Sequence, residues 1–475
     1  MTKGRRALGT IALVAACGGD RMISSASPPA QHSASTSVAS RDLDAGSAVA
    51  KSSDDPSAAA SFLDSTAGAP IRRMLPRVER LRGLRASRDV PGVAVDRPTL
   101  MARIRQHVAR DLPPEAIRNE GRELELLGFL PIGFAYEAAE YRLLEDQLAG
   151  YYEPADHTMY LASDLAEQDA DATLAHELVH ALQDQNWDLD ELSRYRPGES
   201  DVAEAISALA EGDATSAMLD YVIESTAPRS GKHAPDLPDE VCTEQFRQGL
   251  ERGRASSLPH VMTSSLIAPY QYGTVFVNAL RRVGGWPAVN EAWRVLPTTT
   301  EQVLHIDKWL SHEPAIKVRP PPFASLGSGW HVIDEDTEGE LGTRIAFEQW
   351  IGEKAAEECS SHWGGDRGVL VERGDRTAFA WRLRYDAGTP SLEHSARAFP
   401  ILAAGLVDKL GPATMRTTEF VCHERPERGP LALAVDRSDL LLVAGPAGAR
   451  PPGESLNDAT CSLARSWIHE IEAAR

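Results

Sequence analysis

His176-Glu177-Leu178-Val179-His180 places two imidazoles four residues apart with a carboxylate directly after the first. On a helix, positions i and i+4 share a face, so both histidines can reach one ion while Glu177 stands beside them. Two imidazoles suit zinc, and a hydrolytic zinc site keeps one coordination position open for water. The implied chemistry is hydrolysis: bound metal lowers the pKa of its water and polarises a carbonyl, and Glu177 carries the proton to the leaving amine. A chance occurrence of the pattern on a surface helix is the competing reading. Against it, Ala172-Thr173-Leu174-Ala175 and Ala181-Leu182 make the helix mostly apolar around the motif. Polar groups buried there without a partner would be costly, and an ion would supply one.

A third ligand must come from a later element. Ala208-Leu209-Ala210-Glu211-Gly212-Asp213-Ala214-Thr215 offers a carboxylate on a long helix, with glycine directly after it. Glycine in mid-helix costs about 1 kcal/mol of propensity and points to a packing reason, here the close approach of this second helix to the metal. Glu204 lies two turns earlier on the same face and is the rival ligand. Ligating histidines usually give their other N–H to a carboxylate or carbonyl, which makes Asp201 and Asp184 candidates for that part. The alternative for both is an exposed helix acid.

The two segments together, His176 to His180 and Glu211-Gly212-Asp213-Ala214, resemble the gluzincin metallopeptidases. In that family one helix supplies two histidines and a second supplies a glutamate, often as EGxA. His180-Ala181-Leu182-Gln183-Asp184 is similar to the thermolysin-like stretch with an Asp four residues after the second His. The resemblance implies Zn2+ held by His176, His180 and Glu211, with Glu177 as general base. It covers residues 170–220 only. The spacing from His180 to Glu211 exceeds that of several gluzincins, so a loop containing Asp188 to Pro197 must absorb the difference. The Ser-Asp pair that follows the ligand glutamate in thermolysin is missing.

In gluzincins an extended substrate lies along an edge strand just before the metal helix, joined by main-chain hydrogen bonds. Gly150-Tyr151-Tyr152-Glu153 and Thr158-Met159-Tyr160-Leu161, around Pro154-Ala155-Asp156-His157, read as a hairpin in that place. Tyr151 and Tyr152 could equally be core. A tetrahedral intermediate also needs a donor for its oxyanion. Tyr270, Tyr272 and His305 are the candidates, with Tyr272 and His305 the expected catalytic pair and a structural role the other reading for each. Their segments resemble a pattern recurring in bacterial lipoproteins that carry HExLxHALQDQ-like helices.

Several elements must position these groups. Apolar periodicity predicts helices over 100–112, 114–127, 134–148, 168–187 and 199–223, then 262–283 and 287–295 with Gly284-Gly285 between them. Ala227 to Pro238 reads as loop. Beyond Pro320-Pro321-Pro322 come strands at 368–372 and 377–384, turning at Gly374-Asp375, and helices near 392–410 and 456–474. His362-Trp363-Gly364-Gly365-Asp366-Arg367 reads as a tight turn opening a strand. The expected fold class is α+β: a mainly helical gluzincin-like domain with a small antiparallel sheet or hairpin, plus a C-terminal α+β domain.

The chain has 475 residues, enough for two folded domains, and 42% of them are hydrophobic. Lys3, Arg5 and Arg6 precede a short apolar stretch ending in Leu13-Val14-Ala15-Ala16-Cys17, which resembles a bacterial lipobox. The expected organisation is a signal peptide over 1–16, a Ser/Ala-rich disordered tether over 17–70, a metallopeptidase-like domain over 71–318 and the α+β domain over 319–475. Cys17 would carry lipid and hold the protein on a membrane. Gly18 rather than Asp follows it, which favours the outer membrane. The net charge is −20, and loss of residues 1–16 removes three positive charges to leave about −23, which argues against nucleic-acid partners. Of the other four cysteines, Cys422 and Cys461 are the expected disulfide.

Three functional readings follow. The first is a lipid-anchored zinc metallopeptidase acting on peptides or proteins outside the cytoplasm. The second is a catalytically silent gluzincin-scaffold lipoprotein serving as a binding or assembly module. The third is a metal-dependent hydrolase of another amide, such as a cell-wall peptide link. Retention of Glu177 favours catalysis, because a binding module has no use for a general base.

Overall fold

A computed structural model describes residues 68–474 apart from 148, 165–166, 253–257, 387–388 and 449–458. The expected signal peptide, the Cys17 expected to carry lipid and nearly all of the expected tether lie outside the described residues. The first described element, α1, spans Gly68–Arg82 and so takes in the last residues expected to be tether.

The first half is helical around one small sheet. After α1 come β1 (Gly92–Val95), α2 (Arg97–Asp111), α3 (Pro114–Leu127) and α4 (Tyr136–Gln147). Local chemistry sets their ends. The Asp96 carboxylate accepts the Thr99 N–H at the start of α2, and Gly128, at φ 87°, ends α3 in the left-handed conformation that glycine adopts without strain. Next, β2 (Gly150–Glu153) and β3 (Thr158–Ala162) pair antiparallel, as the hairpin pattern predicts. The small sheet is nevertheless mixed, because β1 adds to β3 in parallel and the strand order is β1-β3-β2. Only four residues of Gly-Val-Ala-Val make β1, too few for a period to register.

Two long helices form the centre: α5 (Glu167–Trp187), then, after the one-turn α6 (Leu189–Leu192), α7 (Ser200–Thr226). Every residue from Leu174 to Leu182 is buried, and so is every residue from Glu204 to Tyr221. Helices apolar all round belong to a core, and the polar residues inside them need local partners. A segment that carried no clear sequence signal forms α8 (Asp239–Arg252). It leads to α9 (His260–Arg294), which runs through a kink at Gly284 and Gly285, the two residues expected to stop a helix there. Two short helices, α10 (Thr300–Leu304) and α11 (Ile306–Leu310), close this half.

The second half is built on a seven-stranded antiparallel sheet. Its elements are β4 (His331–Asp336), α12 (Gly339–Ile351), α13 (Glu353–Ser360), β5 (Trp363–Arg373), β6 (Arg376–Tyr385), α14 (Thr389–Leu410), β7 (Met415–Arg416), β8 (Phe420–Arg425), β9 (Gly429–Asp436), β10 (Asp439–Ala447) and α15 (Cys461–Ala473). The strand order is β4-β5-β6-β10-β9-β8-β7. Side chains alternate between its faces. Val371, Ala380, Leu441 and Val443 pack under Trp467 and Ile468 of α15, while Leu370, Leu383, Leu433 and Leu442 join the apolar cluster that also holds Leu124, Leu178 and Leu209. One core therefore crosses residue 318. The two halves are also tied by polar contacts: Asp336 accepts the Ser200 N–H, and Arg367 donates to Gly198 O. Cys422 and Cys461 are disulfide-bonded with Cα atoms 5.8 Å apart, fastening α15 to β8, while Cys242 and Cys359 are buried and outside any disulfide. No helix among the described residues is long and apolar enough to cross a membrane.

Candidate metal centre

His176 and His180 stand one turn apart on α5, and Glu211 reaches them from α7. His176 Nε2 lies 3.0 Å from His180 Nε2 and 3.1 Å from Glu211 Oε2, and His180 Nε2 lies 3.5 Å from the same oxygen. Three ligands on a tetrahedral ion with bonds of 2.0–2.1 Å would be separated by roughly 3.3 Å. The triangle fits such an ion without rearrangement. Two buried carboxylate oxygens, Glu211 Oε1 and Glu177 Oε1, have no hydrogen-bond partner, as expected of groups whose partner is an ion and its water. All four side chains are at most 1% exposed.

The electrostatics of the four side chains follow from burial. Desolvation lowers His176, although Glu211 partly opposes it. For His180 burial also acts downward, but the carboxylates of Glu211 and Glu177 outweigh it and push the ring up to about 9. Desolvation raises Glu177 well above an ordinary glutamate, against the opposing pull of His180. A carboxylate so raised is a stronger base than one in water.

The rival ligand Glu204 is buried on α7 but two turns from Glu211, about 10 Å along the axis, too far to share its ion. Gly212 has a different role from the one expected. A Cβ there would sit 2.0 Å from Gly273 O of α9, and one on Gly273 would sit 1.9 Å from Ala208 O. The glycine pair lets α7 and α9 touch backbone to backbone, so the close approach is to α9 and not to the histidine-bearing helix. Gly212→Ala should lower the unfolding free energy in urea by about 3 kcal/mol, since backbone cannot give way as a side chain can. Unchanged stability would mean that the two helices part freely.

Asp184 and Asp201 do not take the N–H groups of the ligand histidines. Asp184 accepts the Tyr152 hydroxyl at 2.7 Å and pairs with Arg88 and His157, whereas Asp201 caps the start of α10 through Thr300. The group facing His180 Nδ1 is Gln183, 2.8 Å away. Its signal was its position three residues after the second histidine.

Tyr272 and His305 are also turned elsewhere. The Arg344 guanidinium lies 5.1 Å from the Tyr272 ring centre, and His305 Nε2 sits 2.9 Å from both oxygens of Glu340. Tyr270 instead stacks on His176, with ring centres 6.1 Å apart, and the Phe246 ring of α8 lies 5.9 Å from it. The physical reason is helical rotation: two residues along α9 turn a side chain through about 200°, so only one of the two tyrosines can face α5.

The hairpin reaches the site through its outer strand. β2 lies against α5, all four of its residues are buried, and Tyr152 N donates to Glu177 Oε2 at 3.0 Å. Tyr152 thus grips α5 twice, by its backbone at Glu177 and by its hydroxyl at Asp184.

A second group of acids, Glu301, Glu313 and Asp386, also converges closely enough to hold an ion. Lys308 Nζ occupies their centre, with Glu301 at 3.1 Å and Asp386 at 2.6 Å. The ammonium meets the need a metal would meet at the first site.

Residues 330–451, the span of β4 to β10, match the model of a family described as a domain of unknown function, DUF8575. The match does not reach the metal centre. No curated protein and no solved structure matches the chain.

Proposed function

We propose that the chain is a zinc-dependent hydrolase. Within that class we read it as a gluzincin-type metallopeptidase that cleaves peptide bonds outside the cytoplasm, lipid-anchored in the cell envelope through Cys17. The observation that carries this reading is the convergence of His176, His180 and Glu211 on one point, with Glu177 beside them. Two imidazoles with a carboxylate favour zinc over magnesium or calcium, which take oxygen ligands.

Bound zinc would lower the pKa of its water and polarise the scissile carbonyl. The chain's own residues supply the rest. His176, His180 and Glu211 hold the ion. Glu177, buried beside the ligands, takes the water proton and returns it to the leaving amine. β2 offers the backbone edge along which an extended peptide can add. Tyr270, which stacks on His176, takes the place expected of Tyr272, and His305 is held by Glu340. Because the four central side chains are buried, substrate reaches them only after a neighbouring element moves.

The purified full-length chain is expected to contain about one zinc per molecule by elemental analysis, and to release peptides from denatured casein. A zinc chelator should stop that release. Metal-free protein that gains no activity on zinc addition would sink the reading.

A further inference from the structure

Gln183 is fully buried and follows His180 by three residues on α5. Its amide spans two helices: Nε2 donates to Ala210 O of α7 at 3.0 Å, and Oε1 lies 2.8 Å from His180 Nδ1. The orientation of this amide is forced. A backbone carbonyl can only accept, so the NH2 end must face Ala210 and the oxygen is left for the imidazole. That oxygen also can only accept, so His180 Nδ1 carries the proton. In the neutral ring Nε2 then keeps its lone pair, and Nε2 is the atom that points at His176 and Glu211. Ala210 immediately precedes Glu211, so the amide that orients one ligand also grips the backbone beside another.

We propose that Gln183 is a positioning residue of the metal centre, holding His180 in the Nδ1–H tautomer and locking the two ligand-bearing helices at the separation a divalent first-row cation requires. The proposal rests on reading His176, His180 and Glu211 as ligands. It moves the orienting part from the aspartates expected of it to a neutral amide, which leaves the site one negative charge lighter. A buried carboxylate there would also have faced the Ala210 carbonyl, acceptor against acceptor.

The test uses the full chain and three proteins: wild type, Gln183→Met and Gln183→Glu. Zinc affinity is read by competition with a chromogenic chelator, and the His180 tautomer by imidazole 15N shifts of metal-free protein at alkaline pH, where the ring is neutral. Gln183→Met should weaken zinc by roughly 10- to 100-fold, the usual effect of removing a group that orients a ligand. Gln183→Glu should recover part of that loss, because a carboxylate still accepts the Nδ1 proton although it cannot donate to Ala210 O. A mere packing role predicts the opposite order, since methionine keeps the volume and glutamate adds repulsion at Ala210. Wild-type affinity in Gln183→Met, or no recovery in Gln183→Glu, overturns the proposal. Should Gln183→Met not fold, the wild-type tautomer decides alone: a bare Nδ1 on His180 overturns it. A wild type that binds no added zinc yet gives the Nδ1–H signal would instead sink the metal reading and leave the orienting contact standing.

Discussion

Glu177→Gln is expected to reduce peptide hydrolysis by roughly 10²- to 10⁴-fold, the range a positioned general base contributes, with zinc content unchanged. Glu177 lies outside the ligand triangle, so replacing it removes no bond to the ion. Its Oε2 accepts from Tyr152 N, and a glutamine oxygen can accept the same bond. Fold and metal should therefore survive while proton transfer is lost, because an amide cannot take the water proton. Turnover of a fluorogenic peptide, measured alongside zinc per chain, reads both quantities. A variant that cleaves at the wild-type rate would remove Glu177 from the mechanism. A wild type that binds zinc yet cleaves nothing would favour the binding-module reading.

The second large effect should come from the third ligand. Glu211→Ala is expected to weaken zinc binding by on the order of 100-fold or more, since losing a ligand should cost at least as much as losing a group that orients one. Glu204→Ala should leave zinc binding unchanged, because its carboxylate is two turns away. Retention of zinc by the first variant and its loss from the second would invert the assignment. The metal-free protein gives an independent readout. Burial alone drives His180 downward and the Glu211 carboxylate is the main opposing influence, so Glu211→Ala should move its titration below the value of about 9 in the parent. NMR titration of the His180 ring carbons would follow it. A ring that still titrates near the parent value would mean that Glu211 does not face it.

Much of the architecture was readable from periodicity. The helix over 114–127 starts and ends where its pattern places it, because Pro114 can open a helix but not continue one and Gly128 accepts the left-handed turn. The break at Gly284-Gly285 and the Cys422–Cys461 bond were equally open to inspection. Other parts were not. α8 lies on a polar stretch, and the short β7 carries no period of its own. The strands from Phe420 to Ala447 are buried on both faces along much of their length, which removes the alternation that would mark them.

At the metal centre the division falls along the same physical line. The pairing of His176 with His180 and the placing of Glu177 beside them are local, dictated by 3.6 residues per turn, and so were present in five letters of the chain. The choice of Glu211 over Glu204 narrows on the glycine that follows it, but settling it takes the distance between α5 and α7. Which tyrosine meets His176 depends on how α9 rolls against α7, and that roll is set by Gly212 and Gly273 touching backbone to backbone. The orienting partner of His180 depends on where the Ala210 carbonyl stands, a point on another helix. Contacts within one helix turn are written in the order of residues. Contacts between helices depend on rotation and separation, which arise only once the core has packed.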